Sequence, residues 1–154
     1  MEYLILKWIH ILSAILLFGT GLGSAFYKFF TDQSGDIRAI AVTNRLVVTA
    51  DWLITTPTII IQPITGLWMV ALLNYPQMPL WVWQSLALYL LAGACWLPVV
   101  VLQIRMRDLA QRQSAAGEPL GQTYWRMARI WFWLGVPAFS AMVAVVWLMV
   151  IKSI

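Results

Sequence analysis

The chain has 154 residues, of which 62% are hydrophobic and 10% charged, and it carries a net charge of +4 at neutral pH. Soluble domains hold roughly 25% charged residues, so a water-soluble globular fold is excluded; the apolar residues instead gather in four long runs, each near the roughly 20 residues that cross a bilayer. The basic residues cluster at the ends of those runs and are not interleaved with solvent-facing aromatics, which excludes nucleic-acid binding.

Span 1 is expected over about 3–30. No basic segment precedes it and no small-residue cleavage site follows at Lys28–Phe30, so it reads as a retained helix, not a signal peptide. It contains His10, the one histidine of the chain. An ionisable group in hydrocarbon is costly and by default marks a functional site facing a partner or a cavity. At helical spacing one face reads His10, Ser13, Leu17, Thr20 or Gly21, Ser24, a polar and small stripe on a greasy helix. Gly19 and Gly23 form a small-x-x-x-small pair suited to close helix contact. Together with Gly21 they would admit something flat against the backbone.

The loop Thr31–Asp36 follows. Residues 37–50, carrying Arg38 and Arg45, are expected to be helical, either interfacial or extending span 2. Span 2 itself is expected over about 51–73, with a second polar stripe of Asp51, Thr55, Thr58, Gln62, Thr65 or Gly66, and Met69. Pro57 and Pro63 each remove a backbone donor and crowd a preceding carbonyl, and neighbouring threonines are expected to satisfy the groups set free. Asp51 is expected to form an ion pair with Arg45 or Arg105. The turn Asn74–Pro79 carries no charge. Span 3 is expected over about 80–102, projecting as helix through Arg112, with Cys95 alone in mid-span and therefore neither in an intramolecular disulfide nor in a CxxC site. The polar loop Ser114–Pro119 leads to span 4 at about 124–151, which should bend at Gly135-Val-Pro137. The fold class is thus all-α: a single integral membrane domain over 1–154, a four-transmembrane-helix bundle with helices 2, 3 and 4 kinked at proline. Of ten tryptophans, Trp8, Trp52, Trp81, Trp83, Trp125 and Trp147 suit headgroup-level belts, whereas Trp68, Trp96, Trp131 and Trp133 lie deeper.

Lys28, Arg38, Arg45, Arg105, Arg107, Arg112, Arg126 and Arg129 flank the first and third loops, and the termini offer only Lys7 and Lys152. The positive-inside rule places those two loops in the cytoplasm and both termini outside a bacterial inner membrane. His10 then lies about 10 Å below the outer boundary, at about 1.5 Å per residue.

A neutral imidazole within a helix bundle most readily serves as an axial ligand to haem iron. The expected function is therefore a haem b-binding membrane protein with a redox or electron-transfer role, with His10 as metal ligand and Gly19, Gly21 and Gly23 admitting the ring. The second axial position falls to Met69 or another Met, to a second His10 across a dimer, or to no residue. If the chain is an enzyme, it is a haem-dependent membrane oxidoreductase. The alternatives are a non-enzymatic subunit or assembly factor of a larger membrane complex, and a carrier of small or lipidic molecules built on span 2. There is no HExxH, no P-loop, no paired carboxylate in a span and no Ser-His-Asp set. The seven methionines are scattered along the chain, which gives a copper pathway weak support.

The segments Leu6–Phe26, Ala50–Pro57, Gln62–Trp68, Leu88–Pro98, Gln103–Asp108, Tyr124–Arg126 and Gly135–Ala138 resemble the bacterial integral-membrane family called domain of unknown function 2269. The resemblance covers nearly the whole chain and implies four spans in the inner membrane. In the first span alone, Lys7-Trp-Ile-His10 through Gly19 is also similar to the opening of HemJ-type protoporphyrinogen oxidases and CopD-type copper-resistance proteins. In the HemJ type the corresponding His is thought to bind haem b, and the resemblance implies that role for His10.

Overall fold

The computed structural model describes residues 1–151; Lys152 lies outside them. Helix α1 (Glu2–Ser34) stops where Gly35 takes a left-handed conformation, φ 70°, and its N–H turns back to the Asp32 carbonyl. Glycine reaches that region without a Cβ clash. The side chain of Asp36 then accepts the N–H groups of Arg38 and Ala39 and so caps α2 (Ile37–Ala50). Helix α2 does not stop at the interface. It runs through a π-helical turn (Asp51–Thr55) into α3 (Thr56–Leu72), so that 37–72 forms one rod. Helix α4 (Leu80–Ala116) ends at Gly117, again left-handed at φ 70°, and α5 (Gln122–Ile151) closes the bundle.

Among the described residues four rods result, each long and apolar enough to cross a membrane. At about 1.5 Å per residue the 33 residues of α1 exceed the ~30 Å hydrocarbon core, so the helices project beyond it. Their outer surfaces are apolar: Leu53 is 72% exposed and Leu90 71%. Such surfaces require lipid. Helix α4 packs along α5 and against α2, while α1 packs against α2 and α3. Among the deep-lying tryptophan candidates, Trp131 is buried, whereas Trp68 and Trp133 are exposed.

The apolar core lies toward the end of the bundle where α1 meets α2, around Ile40, Met106, Ala110, Tyr124 and Trp131. Lys28 is wholly buried there, not poised at a membrane surface. Its Nζ donates to Asp32 Oδ2 at 2.8 Å and to the Tyr124 hydroxyl at 3.0 Å, and it lies 5.3 Å from the ring centroids of Tyr124 and Trp131. The Tyr124 hydroxyl donates onward to Asp32 Oδ1 at 2.7 Å and accepts from Asn44 Nδ2 at 2.8 Å. A buried charge persists only when paired and hydrogen-bonded, and this cluster ties α1, α2 and α5 together.

The prolines act as their chemistry requires. Pro57 cannot donate to the carbonyl four residues back, and the helix just before it widens into the π turn, with the Thr56 N–H bonded to the Asp51 carbonyl. Thr58 Oγ1 donates to the carbonyls of Ile54 and Thr55. Pro63 frees the carbonyl of Ile59, and the partner is not a threonine: the Tyr89 hydroxyl of α4 donates to it. Pro98 and Pro137 lie inside α4 and α5. Tyr89→Phe should therefore cost about 1–3 kcal/mol, the desolvation penalty of an orphaned carbonyl. The cost should largely vanish in a Pro63→Ala background, where the substitution restores the backbone donor. Thermal unfolding of wild type, the two single variants and the double variant in detergent measures this cycle.

Candidate functional site

The two polar stripes face each other. His10 and Ser13 of α1 and Thr55, Thr58, Gln62 and Thr65 of the second rod are all buried. Gln62 Nε2 donates to the His10 carbonyl at 2.9 Å and to Ser13 Oγ at 2.7 Å, and Ser13 Oγ donates to the same carbonyl at 3.0 Å. His10 Nδ1 lies 2.8 Å from Thr65 Oγ1. Thr65 Oγ1 also lies 2.7 Å from the Ile61 carbonyl. With its proton on that carbonyl, Thr65 accepts from His10 Nδ1 and the lone pair falls to Nε2. Among the described residues Nε2 makes no hydrogen bond.

A cavity of about 250 Å3 adjoins the ring. His10, Gln62 and Gly66 border it, with Lys7 and Tyr3 from the first turns of α1. Met69 of α3 and Met142 and Met149, two turns apart on α5, line its wall. Ser85, also lining it, has a buried Oγ without a partner. The imidazole is thus held at Nδ1, and the residue borders a space that methionine side chains also line. Among the described residues no group of three or more His, Cys, Asp or Glu could hold a metal ion; any metal here would rest on His10 and methionine.

The predicted site residues divide. His10 and Met69 share this cavity, but Gly19, Gly21 and Gly23 do not reach it. They lie nine to thirteen residues further along α1, about 14–20 Å at the helical rise. Gly19 is exposed, and a Cβ on any of the three would meet nothing within 4 Å, so none of them serves close packing within the chain. The glycine that does is Gly66, where a Cβ would come within 3.3 Å of His10 Cε1. Its place in the second stripe, one turn from Gln62, was the sequence signal for it.

Gly21 lines a second and larger cavity, about 530 Å3, nearer the end of the bundle that holds Asp51 and Phe29. Asp51 lies on its wall and makes no ion pair with Arg45 or Arg105; its Oδ1 accepts from Thr55 Oγ1 at 2.9 Å. The expected pairing fails because Asp51 is 6% exposed and turned inward, away from the arginines that ring the helix ends. Tyr89 and Met142 border both cavities.

Long lipid-exposed helices, clasped by polar side chains around internal cavities, define a polytopic α-helical membrane protein. The chain belongs to the family of predicted integral membrane proteins designated DUF2269, which it matches over residues 4–153. No curated protein and no solved structure matches it.

The difference between the glycines has a measurable consequence. Gly66→Ala should destabilise the protein by about 1–3 kcal/mol through overpacking against the imidazole. Gly21→Ala should be neutral or stabilise by up to about 1 kcal/mol, because Ala is the better helix former and the space is open. Thermal melts in one detergent compare the two.

Proposed function

We propose that the chain is a haem b-binding redox protein of the bacterial inner membrane, with His10 Nε2 as axial ligand. The observation that carries this reading is the division of labour on the imidazole. Thr65 Oγ1 lies 2.8 Å from Nδ1, which leaves Nε2 for a ligand, and His10 borders a cavity. Ligating histidines characteristically give their other N–H to an oxygen that fixes tautomer and ring orientation.

The surroundings suit the group. Met69, Met142 and Met149 offer thioethers for the opposite coordination position, and His/Met ligation raises the haem potential. Lys7 and Tyr3 border the same cavity and are of the right kind to meet haem carboxylates. Gly66 leaves the room the imidazole edge needs. The cavity is smaller than a haem, so the macrocycle would extend past its mouth. Bound iron would supply one-electron chemistry. The chain's own part is to hold the ligand nitrogen deprotonated, through Thr65, and to keep the clasped side of the ring dry.

One specific observation favours a second reading. An imidazole with three thioethers is also a donor set that Cu(I) accepts. The visible spectrum and metal content of the detergent-purified protein decide. The haem reading expects a Soret band that disappears in His10→Ala, while Thr65→Val keeps the band but weakens haem retention about 10–100-fold. A colourless protein holding copper that is lost in His10→Ala supports the second reading. A colourless, metal-free protein overturns both and leaves the complex-subunit and carrier alternatives.

The proposed orientation rests on the gathering of the arginines at the end where α1 meets α2. Tyr75→Cys in intact cells should react with a membrane-impermeant maleimide and Ser114→Cys should not. The reverse pattern inverts the topology.

A further inference from the structure

The Asp51 carboxyl lies inside the bundle with no cation to neutralise it. It is 6% exposed, and the hydrogen bond its side chain makes is the 2.9 Å contact from Thr55 Oγ1 to Oδ1. Among the described residues the ion pairs are Lys28–Asp32 and Arg107–Asp108. The elements around the π turn offer no third. On α1, the hydrogen bonds of Lys28 go to Asp32 and Tyr124. On α2, Arg45 is exposed. Helix α3 carries no charged or titratable side chain. On α4, Arg107 is committed to Asp108, Arg105 is exposed, and the Tyr89 hydroxyl donates to the Ile59 carbonyl. Arg126 and Arg129 of α5 are exposed too.

Across the helix interface the Gln103 side chain of α4 is turned toward this carboxyl. Asp51 Oδ2 and Gln103 Oε1 are both buried and both without a hydrogen-bond partner. Buried polar atoms in native proteins are satisfied as a rule, and water does not reach either of these. What satisfies them must therefore be no larger than a proton. A carboxamide presents either Nε2 or Oε1 to a neighbour by half a rotation of its last bond. With Nε2 forward, Asp51 is a carboxylate held by two neutral donors and no cation, and Oε1 stays unpartnered. With Oε1 forward and a proton on Oδ2, both oxygens are bonded and no charge is buried in the membrane interior.

We infer that Asp51 is a proton-binding site in the membrane interior: a carboxylic acid at neutral pH whose Oδ2–H donates to Gln103 Oε1. Release is a plain acid dissociation. The O–H bond breaks and its electron pair stays on Oδ2. The proton passes to a water or buffer base that reaches the pair when the packing of α2 on α4 opens, and the amide turns to offer Nε2 to the carboxylate. Asp51 belongs to the π turn and Gln103 to α4, so the bound proton ties the second rod to α4. The site involves neither His10 nor the smaller cavity and stands or falls apart from the haem reading.

The infrared spectrum of the full chain in detergent at neutral pH tests the assignment. A protonated carboxylic acid has a C=O stretch separate from the amide and carboxylate bands, and the stretch moves down in heavy water. Wild type should show this band. It should be absent in Asp51→Asn and displaced in Asp51→Glu, which serves if the Asn variant does not fold. Gln103→Leu should raise its frequency, because the O–H loses its acceptor. If Asp51 is instead ionised with Gln103 as its donor, wild type has no band and Gln103→Leu creates one. That result overturns the inference, as does a band that survives Asp51→Asn or that Gln103→Leu leaves unmoved. Stability gives an independent reading. The folded chain keeps a proton that the unfolded chain releases above about pH 4. The wild-type unfolding constant should therefore rise about tenfold per pH unit from there until the folded site lets go, and level off beyond. Asp51→Asn should lack that rise, and identical pH profiles for the two proteins overturn the inference.

Discussion

The arrangement of this bundle depends on a polar clasp between α1 and the second rod: Gln62 on the His10 carbonyl and Ser13, and His10 on Thr65. In a bilayer, helices gain no hydrophobic energy from leaving lipid for one another, so packing and hydrogen bonds set their register. Here the clasp spends every donor of the Gln62 amide, the Ser13 hydroxyl, the Thr65 hydroxyl and one nitrogen of His10. What it leaves over is the lone pair of the second nitrogen. A structural role for His10 and a ligand role are therefore not rivals, since each uses a different atom of the ring.

At the other end of the bundle the Lys28 cluster does similar work by other means. Desolvating an ammonium is expensive, and Lys28 is compensated by a carboxylate, a phenol and two aromatic faces drawn from two helices. Tyr124 at its centre contacts residues of α1 and α2 while belonging to α5. Between the clasp and this cluster the helices stand far enough apart to leave the larger cavity. The smaller one lies on the other side of the clasp, toward Tyr3 and Leu73.

Much of this was legible in the chain. The four spans follow from the length of the apolar runs, and the facing stripes follow from three- and four-residue spacing, because polar residues on a membrane helix must meet one another. Other features were hidden for identifiable reasons. Lys28 reads as a juxtamembrane charge because its partner Tyr124 is 96 residues away. The thioethers of Met69, Met142 and Met149 look scattered because they converge only when α3 and α5 border one space. Tyr89 serving the carbonyl freed by Pro63 cannot be read from either segment alone. The glycines of α1 drew attention by their number, yet the imidazole's need for room falls on Gly66 across the interface.

The π turn at Asp51–Thr55 sets the phase of everything after it. It takes up one residue more than a regular turn, so the surplus is absorbed locally and Gln62 and Thr65, a few turns on, still meet α1. Forcing regular winding on the same number of residues would turn everything after it by about 100° and carry both side chains off their partners. Winding and length in this membrane segment are therefore tied to each other: a residue can leave only if the wide turn leaves with it.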